Sequence, residues 1–356
     1  MDQFAFLVHP LSLEDVRRRF RITRHLSDGM TENLLKLCPP LKLSEVRGVR
    51  SPLAEVGGFF IALMLTTRQI LQYPEPGVVD RIVRAGRKAE RLGAGILGLG
   101  AYTSTVGDGG IQAARRLDLP VTTGNSLTAA TAIAAVVPAS RLAGIDLSRA
   151  EVVVIGTGGT GCPGAVVTQA ALHILEGTGA AITLLGRDQR GLTRIADEIE
   201  EKTRRRVKTS TDLAGTLRSA DVVLVAAGAS ERLIPPEAFR PGAIVCDIAR
   251  PRETSQMLAR CREDILAIDG GLWEVPGDSQ PGLLFGLPPR LVYPCVAETM
   301  LLAMERRYED CGLGKGLDPD RIVEMYRLAL KHGFRLAELR LDEKPLIPPE
   351  FFADKK

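Results

Sequence analysis

Residues 151–175 restrict the possible folds more than any other stretch of the chain. A run of β-branched residues, EVVVIG, precedes Gly156, Gly158 and Gly161 in the order G-x-G-x-x-G, and the apolar segment Ala165–Leu175 follows. A strand, a glycine-rich turn and a helix in this order are typical of a unit that binds a dinucleotide. Glycines let a pyrophosphate approach the backbone closely, and the amides at the helix start bind its charge. The alternative is a turn that is merely flexible. The predicted cofactor-binding residues of the turn are Gly156, Thr157, Gly158, Gly159, Thr160 and Gly161.

Short apolar strands continue to alternate with helical segments after this turn. The strand candidates are AAITLLGR, RVKTST, ADVVLVAAG, GAIVCDIA and DILAIDGG. Strands this apolar are buried on both faces, as in a parallel sheet that has helices on each side. The sequence therefore predicts an α/β protein with a doubly wound Rossmann domain.

The region before this domain contains both strand and helix patterns, and the region after it is helical. FAFLVH reads as a strand, Gly77–Leu92 as an amphipathic helix, and ILGLGAY as a buried strand, while amphipathic helices follow Pro294 and end at Gly333. A chain of 356 residues is expected to form two domains. The predicted limits are 1–127 for an α/β substrate-binding domain, 128–294 for the Rossmann domain, and 295–356 for C-terminal helices that pack back on the first domain.

Composition narrows the class of protein further. A net charge of +3 gives no argument for nucleic-acid binding, although the basic run 204–208 is either a solvated helix end or a dock for an acidic partner. The longest apolar run, Val56–Leu65, is too short to span a bilayer, and no signal peptide is visible. The cysteines and histidines are scattered without the spacing of a metal site or a disulfide framework. We therefore expect a cytoplasmic enzyme without a transmembrane segment or a bound metal.

The end of the strand AAITLLGR bears on the choice of dinucleotide. NAD-binding proteins usually place an acidic residue there for the ribose hydroxyls, but here Gly186 and Arg187 end the strand and Asp188 comes one residue later. A guanidinium can bind a 2′-phosphate bidentately. Arg187, with Arg190 as a further candidate, therefore favours NADPH, and the alternative is an arginine that only begins a surface helix.

Cys295 begins an amphipathic helix directly after Pro294. The free amides and the dipole of a helix start favour a thiolate, whereas the negative charge of Glu298 in the first turn disfavours one. A small buried residue is the plainer interpretation of Cys295 from these residues alone. A nucleophilic cysteine combined with a nicotinamide cofactor would indicate attack on an activated acyl group followed by hydride transfer.

Several segments together resemble the long-chain acyl-[acyl-carrier-protein] reductases of cyanobacteria, which make fatty aldehydes with NADPH. They occur in family order along almost the whole chain, and TTGN-x-x-TA and C-x-AE-x-MLL are the most specific. The matching segments are FLVHPLSLEDV, LGLGAYTS at 97–104, TTGNSLTAA at 122–130, the VVVIG turn, LLGRDQRGL at 184–192, AIDGG at 267–271, CVAETMLLAME at 295–305 and LKHGF at 330–334.

The resemblance implies a role for particular residues. The acyl-accepting cysteine falls on Cys295, and Asn125, Ser126 and Thr128 fall where the family lines its active-site cleft. The substrate would be a fatty acyl thioester of acyl carrier protein or of coenzyme A, and an aldehyde-consuming enzyme would be a further partner. The apolar segment GGFFIALML would be either a wall of the acyl tunnel or plain core, and His9 and His332 would have capping or core roles.

Two other functions stay open. One is an NADP-dependent dehydrogenase of a small hydroxy acid or ketone, similar to shikimate dehydrogenases, which works without a cysteine and depends on a Lys–Asp pair. Lys88 and Asp108 are available for that pair. The other is a non-catalytic module that senses a nucleotide or binds a carrier protein.

Overall fold

The structure is a computed structural model that describes residues 2–157, 163–226, 234–248, 253–280, 282, 287–314, 316–341 and 344–346. The chain forms two compact units. The first consists of Met1–Asn125, Glu274–Lys315 and Leu328–Phe334, and the second of Ser126–Trp273, Gly316–Arg327 and Arg335–Lys356.

The described strands are β1 (Asp2–Val8), β2 (Leu41–Arg50), β3 (Glu55–Ala62), β4 (Ile96–Leu99), β5 (Val121–Thr122), β6 (Glu151–Thr157), β7 (Ala181–Gly186), β8 (Lys208–Ser210), β9 (Val222–Val225), β10 (Ile244–Asp247), β11 (Leu266–Ile268), β12 (Gly271–Glu274), β13 (Leu291–Val292), β14 (Arg335–Leu341) and β15 (Lys344–Pro345). The described α-helices are α1 (Leu13–Arg19), α2 (Asp28–Leu37), α3 (Thr67–Gln72), α4 (Glu75–Arg91), α5 (Val106–Gly109), α6 (Ile111–Ala114), α7 (Asn125–Ala134), α8 (Val136–Ala143), α9 (Pro163–Ile174), α10 (Gln189–Thr203), α11 (Leu213–Ser219), α12 (Glu253–Cys261), α13 (Pro294–Met304) and α14 (Pro319–Lys331).

The first unit is built on a mixed sheet with the strand order β2-β3-β1-β4-β5. β1 runs parallel to β3 and β4, β4 runs parallel to β5, and β2 is antiparallel to β3. Helix α4 packs on β1 and β3 through its buried apolar face, which confirms the helix predicted from the periodicity of residues 77–92. α13 lies against β1, β3 and β4. The C-terminal region therefore supplies the helix α13 to the N-terminal sheet, while Gly316–Arg327 and the strand β14 belong to the second unit.

The segment GGFFIALML forms part of β3 and the residues that follow it. All of its residues are buried. Phe59, Ile61, Leu63 and Leu65 pack in one hydrophobic cluster with α4, while Ala62 and Met64 pack in another with α1 and α2. The segment is thus core in this structure, and its role as a tunnel wall stays a prediction.

The second unit contains a parallel sheet with the strand order β11-β10-β9-β6-β7-β8. Numbered from β6, this is the order 6-5-4-1-2-3 of the doubly wound Rossmann fold. Neighbouring residues of β6, Val152 and Val153, point to opposite faces, and both are fully buried. Burial on both faces requires helices on each side of the sheet. The predicted fold class is confirmed.

The end of α13 differs from the sequence prediction, and the end of α14 agrees with it. The helical spacing of Val296, Met300, Met304 and Tyr308 in the sequence predicts a helix that reaches Tyr308. In the structure α13 ends at Met304, because the chain turns at Arg306, whose φ is +53°. The Tyr308 hydroxyl then donates a hydrogen bond to Asp2 at 2.9 Å. α14 ends at Lys331, and Gly333 has a φ of +78°, which is the left-handed stop predicted for this glycine.

Among the residues that the structure describes, one stretch is long and apolar enough to cross a membrane by length and composition. It covers residues 125–143, and 67% of its apolar window is buried within the molecule.

Candidate functional site

Cys295 is the second residue of α13, and Pro294 occupies the first position, where a missing N–H costs nothing. Every other residue of this helix is buried, and Cys295 alone is partly exposed. The fold thus presents a single side chain of α13 to the surroundings, and that side chain is a thiol at the positive end of a helix. This partial exposure differs from the small buried residue that the local sequence alone favours, and the role of Cys295 as a nucleophile stays a prediction.

Gly124 lies directly against Cys295. A Cβ atom placed on Gly124 would be 2.3 Å from both the Cα and the Cβ of Cys295. Gly124 also has a φ of +71°, which favours glycine on its own account. The glycine of the segment TTGN is therefore required twice: for the backbone conformation and for the close approach of the cysteine backbone.

A buried hydrogen bond ties the same two segments together. The Thr122 hydroxyl donates to Oε1 of Glu298 at 2.6 Å, and it accepts a hydrogen bond from the Gly124 amide at 3.2 Å. Thr122 and Glu298 are fully buried. A carboxylate at such a depth needs hydrogen-bond donors, since its transfer from water costs several kcal/mol when it is left without them. Glu298 therefore anchors the segment 122–124 and does more than place a charge beside Cys295.

A second glycine motif supports α13 from β4. A Cβ atom on Gly98 would lie 2.2 Å from Oγ1 of Thr299 and 2.4 Å from Cδ2 of Phe6. The Thr299 hydroxyl donates to the Cys295 carbonyl at 2.9 Å. The segment LGLG thus lets the first turns of α13 pack directly on the sheet. Three of the motifs identified in the sequence, LGLG, TTGN and C-x-AE, meet at one point in the first unit.

The segment that contains Cys311 completes this arrangement, and no sequence motif indicated its position. Cys311 pairs with Thr122 as a parallel bridge, and its amide donates to the Val121 carbonyl at 3.0 Å. The Thr123 hydroxyl donates to the Gly312 carbonyl. Residues 121–123 are therefore held by β4 on one side and by this segment on the other.

The predicted oxyanion donors lie at the start of α7. Asn125 is the first residue of the helix, directly after Gly124, and is half-buried. Ser126 is buried and Thr128 is half-buried, one and three residues further on. The N-terminal segment of the first unit ends at Asn125, and Ser126 belongs to the second unit. Their role as donors stays a prediction.

The glycine-rich turn begins at the carboxyl end of β6. Gly156 is buried, has a φ of +120°, and interrupts the register between β6 and β7, so the backbone leaves the strand at the residue that the motif requires to be glycine. Thr157 ends the strand, and α9 begins at Pro163. β6 lies between β9 and β7, where the strand order reverses, and nucleotides bind at this point in doubly wound sheets. The residues Gly158, Gly159, Thr160 and Gly161 lie outside the described part of the chain.

The two arginines predicted for the 2′-phosphate follow β7 and are exposed. β7 ends at Gly186, and Arg187 comes next, while Arg190 lies in the first turn of α10. Asp188 caps this helix, because its carboxylate accepts a hydrogen bond from the Arg190 amide at 3.1 Å. The acidic residue nearest to the end of the strand is thus engaged in a helix cap.

The histidines of the matching segments are held by hydrogen bonds inside the first unit. His9 contacts the Pro10 carbonyl through Nδ1 at 3.1 Å and accepts from the Tyr102 amide through Nε2 at 3.3 Å. Burial lowers the pKa of His9 below its usual value of 6.5, against a smaller opposing effect of the Pro10 carbonyl. His332 contacts Ser51 at 2.9 Å and Glu305 at 2.5 Å. Both rings have the buried positions expected of core residues.

The remaining candidate residues have other contacts or positions. Lys88 donates to the Pro40 carbonyl at 2.8 Å, and Asp108 is exposed, so within the described residues these two side chains do not form the Lys–Asp pair. Cys246 is buried in β10, as predicted for a core residue. Cys162 lies outside the described residues.

The topology and the position of the glycine turn define a class of protein. The second unit has the doubly wound sheet of a Rossmann fold, and its glycine turn begins at the strand-order reversal where dinucleotides bind in such sheets. The family model for shikimate / quinate 5-dehydrogenase matches residues 138–269, which contain β6 to β11.

Two characterised proteins are similar over nearly the whole chain. "Aminotransferase PigE" of Serratia sp. strain ATCC 39006 is 28% identical over 363 residues, which cover 97% of this chain and 41% of that protein. The chain therefore spans about two fifths of the length of this relative. The long-chain acyl-[acyl-carrier-protein] reductase of Synechococcus elongatus is 24% identical over 352 residues, which cover 93% of this chain and 98% of that protein.

Solved structures of dehydrogenases are also similar to the chain. L-tryptophan dehydrogenase from Nostoc punctiforme is 18% identical with a TM-score of 0.32, over 72% of this chain and 67% of that chain. Shikimate dehydrogenase of Mycobacterium tuberculosis is 15% identical with a TM-score of 0.29, over 57% of this chain and 62% of that chain.

Proposed function

We propose that the chain reduces a fatty acyl thioester to a fatty aldehyde with NADPH, through an acyl group carried on Cys295. The observation that carries this proposal is the environment of Cys295: a partly exposed thiol at the start of an otherwise buried helix, in contact with Gly124 of TTGN. Such a position favours a thiolate and leaves it accessible. A cysteine that served only as core would be buried like its neighbours in α13.

The residues around Cys295 have distinct tasks in this reaction. The Cys295 thiolate attacks the carbonyl carbon of the thioester, and the carrier thiolate leaves and takes up a proton. Amide or hydroxyl groups of Asn125, Ser126 and Thr128 would donate to the oxyanion, an effect worth about 3 kcal/mol for each well-placed donor. The Thr122–Glu298 hydrogen bond holds the segment 122–124 against α13 and so positions the backbone beside the thiol.

We propose that the second unit binds a phosphorylated dinucleotide. Gly156 leaves β6 with a backbone conformation suited to glycine, and no acidic residue occupies the end of β7. Asp188 caps α10, and Arg187 and Arg190 would be the charged groups that bind a 2′-phosphate at the end of β7. When bound, NADPH would supply the hydride that converts the acyl thioester on Cys295 into the aldehyde.

The substrate class rests on the resemblance to the cyanobacterial reductases. The Synechococcus elongatus protein is named for the acyl-carrier-protein thioester that it reduces, and the aligned region covers almost all of both chains. We therefore propose an acyl group on acyl carrier protein as the substrate, with acyl-CoA as the alternative carrier. An enzyme that consumes the aldehyde would be the next partner.

The proposal is tested by measuring aldehyde formation from palmitoyl-acyl carrier protein and palmitoyl-CoA. The wild-type chain is expected to form hexadecanal with NADPH and much less with NADH, and Cys295→Ala to form none. Cys261→Ala removes an exposed cysteine from α12 and is the matched control. Turnover by Cys295→Ala equal to that of the control would contradict the covalent mechanism.

A dehydrogenase of a small hydroxy acid or ketone is the second candidate. The match of residues 138–269 to the shikimate / quinate 5-dehydrogenase model favours it, since that match covers the β6–β11 sheet. The positions of Lys88 and Asp108 weigh against it. NADP-dependent oxidation of shikimate or quinate by both the wild type and Cys295→Ala would support this candidate. Cofactor binding without turnover of any of these substrates would instead indicate a nucleotide-sensing or carrier-binding module.

A further inference from the structure

The surface of α1 and α2 in the first unit combines exposed apolar side chains with arginines. Met30, Leu34 and Leu37 are 59%, 41% and 83% exposed and follow the spacing i, i+4, i+7, so they share one face of α2. Ile22, in the 3₁₀ turn between the two helices, is 74% exposed. Single exposed apolar residues are ordinary, but several on one helix face with no protein covering them indicate an interaction surface.

The charges beside this apolar face are positive. The acidic residues of the region are all engaged: Glu14 pairs with Arg18, Asp28 with Arg17 and Glu32 with Arg68, and Asp15 caps α1. Arg19, Arg21 and Arg24 are exposed, and no carboxylate among the described residues pairs with them.

We infer that this surface, the α1–α2 surface (Arg19, Arg21, Ile22, Arg24, Met30, Leu34 and Leu37), docks an acidic acyl carrier protein. The inference rests on the proposed function, because it names the face that receives the carrier of the thioester. Charge complementarity selects the partner: exposed arginines steer and orient an acidic protein, and the apolar stripe provides the contact that excludes water. The basic run 204–208 is a poorer dock, since Arg206 and Lys208 are paired with Glu200 and Glu151.

The position of the α1–α2 surface relative to Cys295 follows from the sheet of the first unit. β1 leads into α1 at its carboxyl end, and β5 leads into Gly124 at its carboxyl end. β1, β4 and β5 are parallel, so both ends lie at the same edge of the sheet. Only β4 separates β1 from β5, which places their ends about 10 Å apart across the strands. A carrier docked on α1 and α2 would thus be on the same edge as the thiol that accepts its acyl group.

An anionic membrane is the other class of partner that such a surface could bind, and the observations favour the protein. The unpaired arginines precede α2 instead of lining its polar flank, whereas membrane-surface helices have basic residues along the polar face of the helix itself. A compact patch with charges at one end and an apolar stripe beyond is the pattern of a protein interface with a polar rim.

The test compares the double variant Arg19→Glu/Arg21→Glu with Arg84→Glu/Arg87→Glu, which makes the same change of charge on exposed residues of α4. We expect the first variant to raise KM for palmitoyl-acyl carrier protein at least about tenfold and to flatten its salt dependence. Its kcat/KM for palmitoyl-CoA should stay within about twofold of the wild type, which also shows that it folds. The α4 control should match the wild type on both substrates. Leu34→Ser/Leu37→Ser should raise KM for the carrier-protein substrate alone.

Other outcomes would overturn the inference. Equal kinetics of Arg19→Glu/Arg21→Glu and the α4 control on palmitoyl-acyl carrier protein would do so. If Arg19→Glu/Arg21→Glu lost binding to phosphatidylglycerol vesicles and kept wild-type kinetics on palmitoyl-acyl carrier protein, the surface would be assigned to a membrane. If the wild type reduces neither thioester, the proposed function fails, and the anisotropy of fluorescein-labelled holo-acyl carrier protein then decides the docking: binding that Arg19→Glu/Arg21→Glu abolishes would support it, and no binding to the wild type would contradict it.

Discussion

Gly124 and Cys295 are in direct contact, with room between their backbones for a hydrogen atom and not for a methyl group. The contact joins the segment that follows β5 to the start of α13. Cys295 lies in the first turn of α13, where the helix dipole favours a thiolate. This arrangement is the structural basis for proposing an acyl-accepting thiol.

Gly124→Ala is expected to destabilise the fold and to abolish acylation. The methyl group would lie 2.3 Å from the Cα and Cβ of Cys295, and the left-handed backbone adds its own strain. We expect a loss of about 3–5 kcal/mol in the free energy of unfolding, measured by urea denaturation. Gly144→Ala is the control, because Gly144 has a similar φ of +69° with no atom within 4 Å of the added carbon. A loss near 1–2 kcal/mol is expected there, and equal losses in the two variants would contradict the contact.

Thr122→Val removes the hydroxyl that donates to the buried carboxylate of Glu298. Because a buried carboxyl oxygen is then left with one donor fewer, we expect a loss of about 1–3 kcal/mol in the free energy of unfolding. Thr122→Ser keeps the hydroxyl and should retain most of the wild-type free energy of unfolding. A double-mutant cycle with Glu298→Gln measures the coupling directly, and a coupling energy of zero would show that the hydrogen bond does not stabilise the fold.

These contacts mark the limit of what the sequence could predict. The periodicity of residues 77–92 and the strand–turn–helix order around Gly156 are local patterns, and both gave the correct elements. From the sequence, Glu298 could be related only to Cys295, which lies on the same helix. Its hydrogen-bond partner Thr122 lies 176 residues away. The burial of that pair depends on the packing of α13 against the sheet, which no local pattern specifies.

The same reasoning explains the bridge from Cys311 to Thr122. The segment around Cys311 lacks the alternation of a strand, and its pairing with residues 121–123 depends on the turn that follows α13. The resemblance, in contrast, pointed to segments that the fold does bring together, since LGLG, TTGN and C-x-AE are in contact within the first unit.

His9 should make stability depend on pH. Burial lowers the pKa of His9 in the folded state, so as pH falls below 6.5 the unfolded chain takes up the proton first. The free energy of unfolding is therefore highest above pH 6.5. It decreases as pH falls toward the pKa of His9 in the folded state, by up to ~1.4 kcal/mol for each pH unit. The measurement is Tm between pH 7.5 and about 5. His9→Gln should flatten this dependence, while the exposed His25→Gln should keep it; identical slopes in all three proteins would rule out this role for His9.

Arg187→Gln is expected to weaken the preference for NADPH. A guanidinium beside a 2′-phosphate forms charge-assisted hydrogen bonds, so its loss should raise KM for NADPH about tenfold or more and leave KM for NADH nearly unchanged. Arg194→Gln, on the exposed side of α10, is the control and should leave both values unchanged. A parallel rise of both KM values in Arg187→Gln would show that this arginine does not read the phosphate.

The central claim is that Cys295 carries the acyl group, and intact-mass analysis tests it most directly. The protein is mixed with palmitoyl thioester in the absence of NADPH, beside Cys295→Ala. We predict an added palmitoyl group on the wild type alone, discharged by NADPH and not by NADH. An unmodified wild type with several chain lengths and with both carriers, or an equal adduct on Cys295→Ala, would contradict the account.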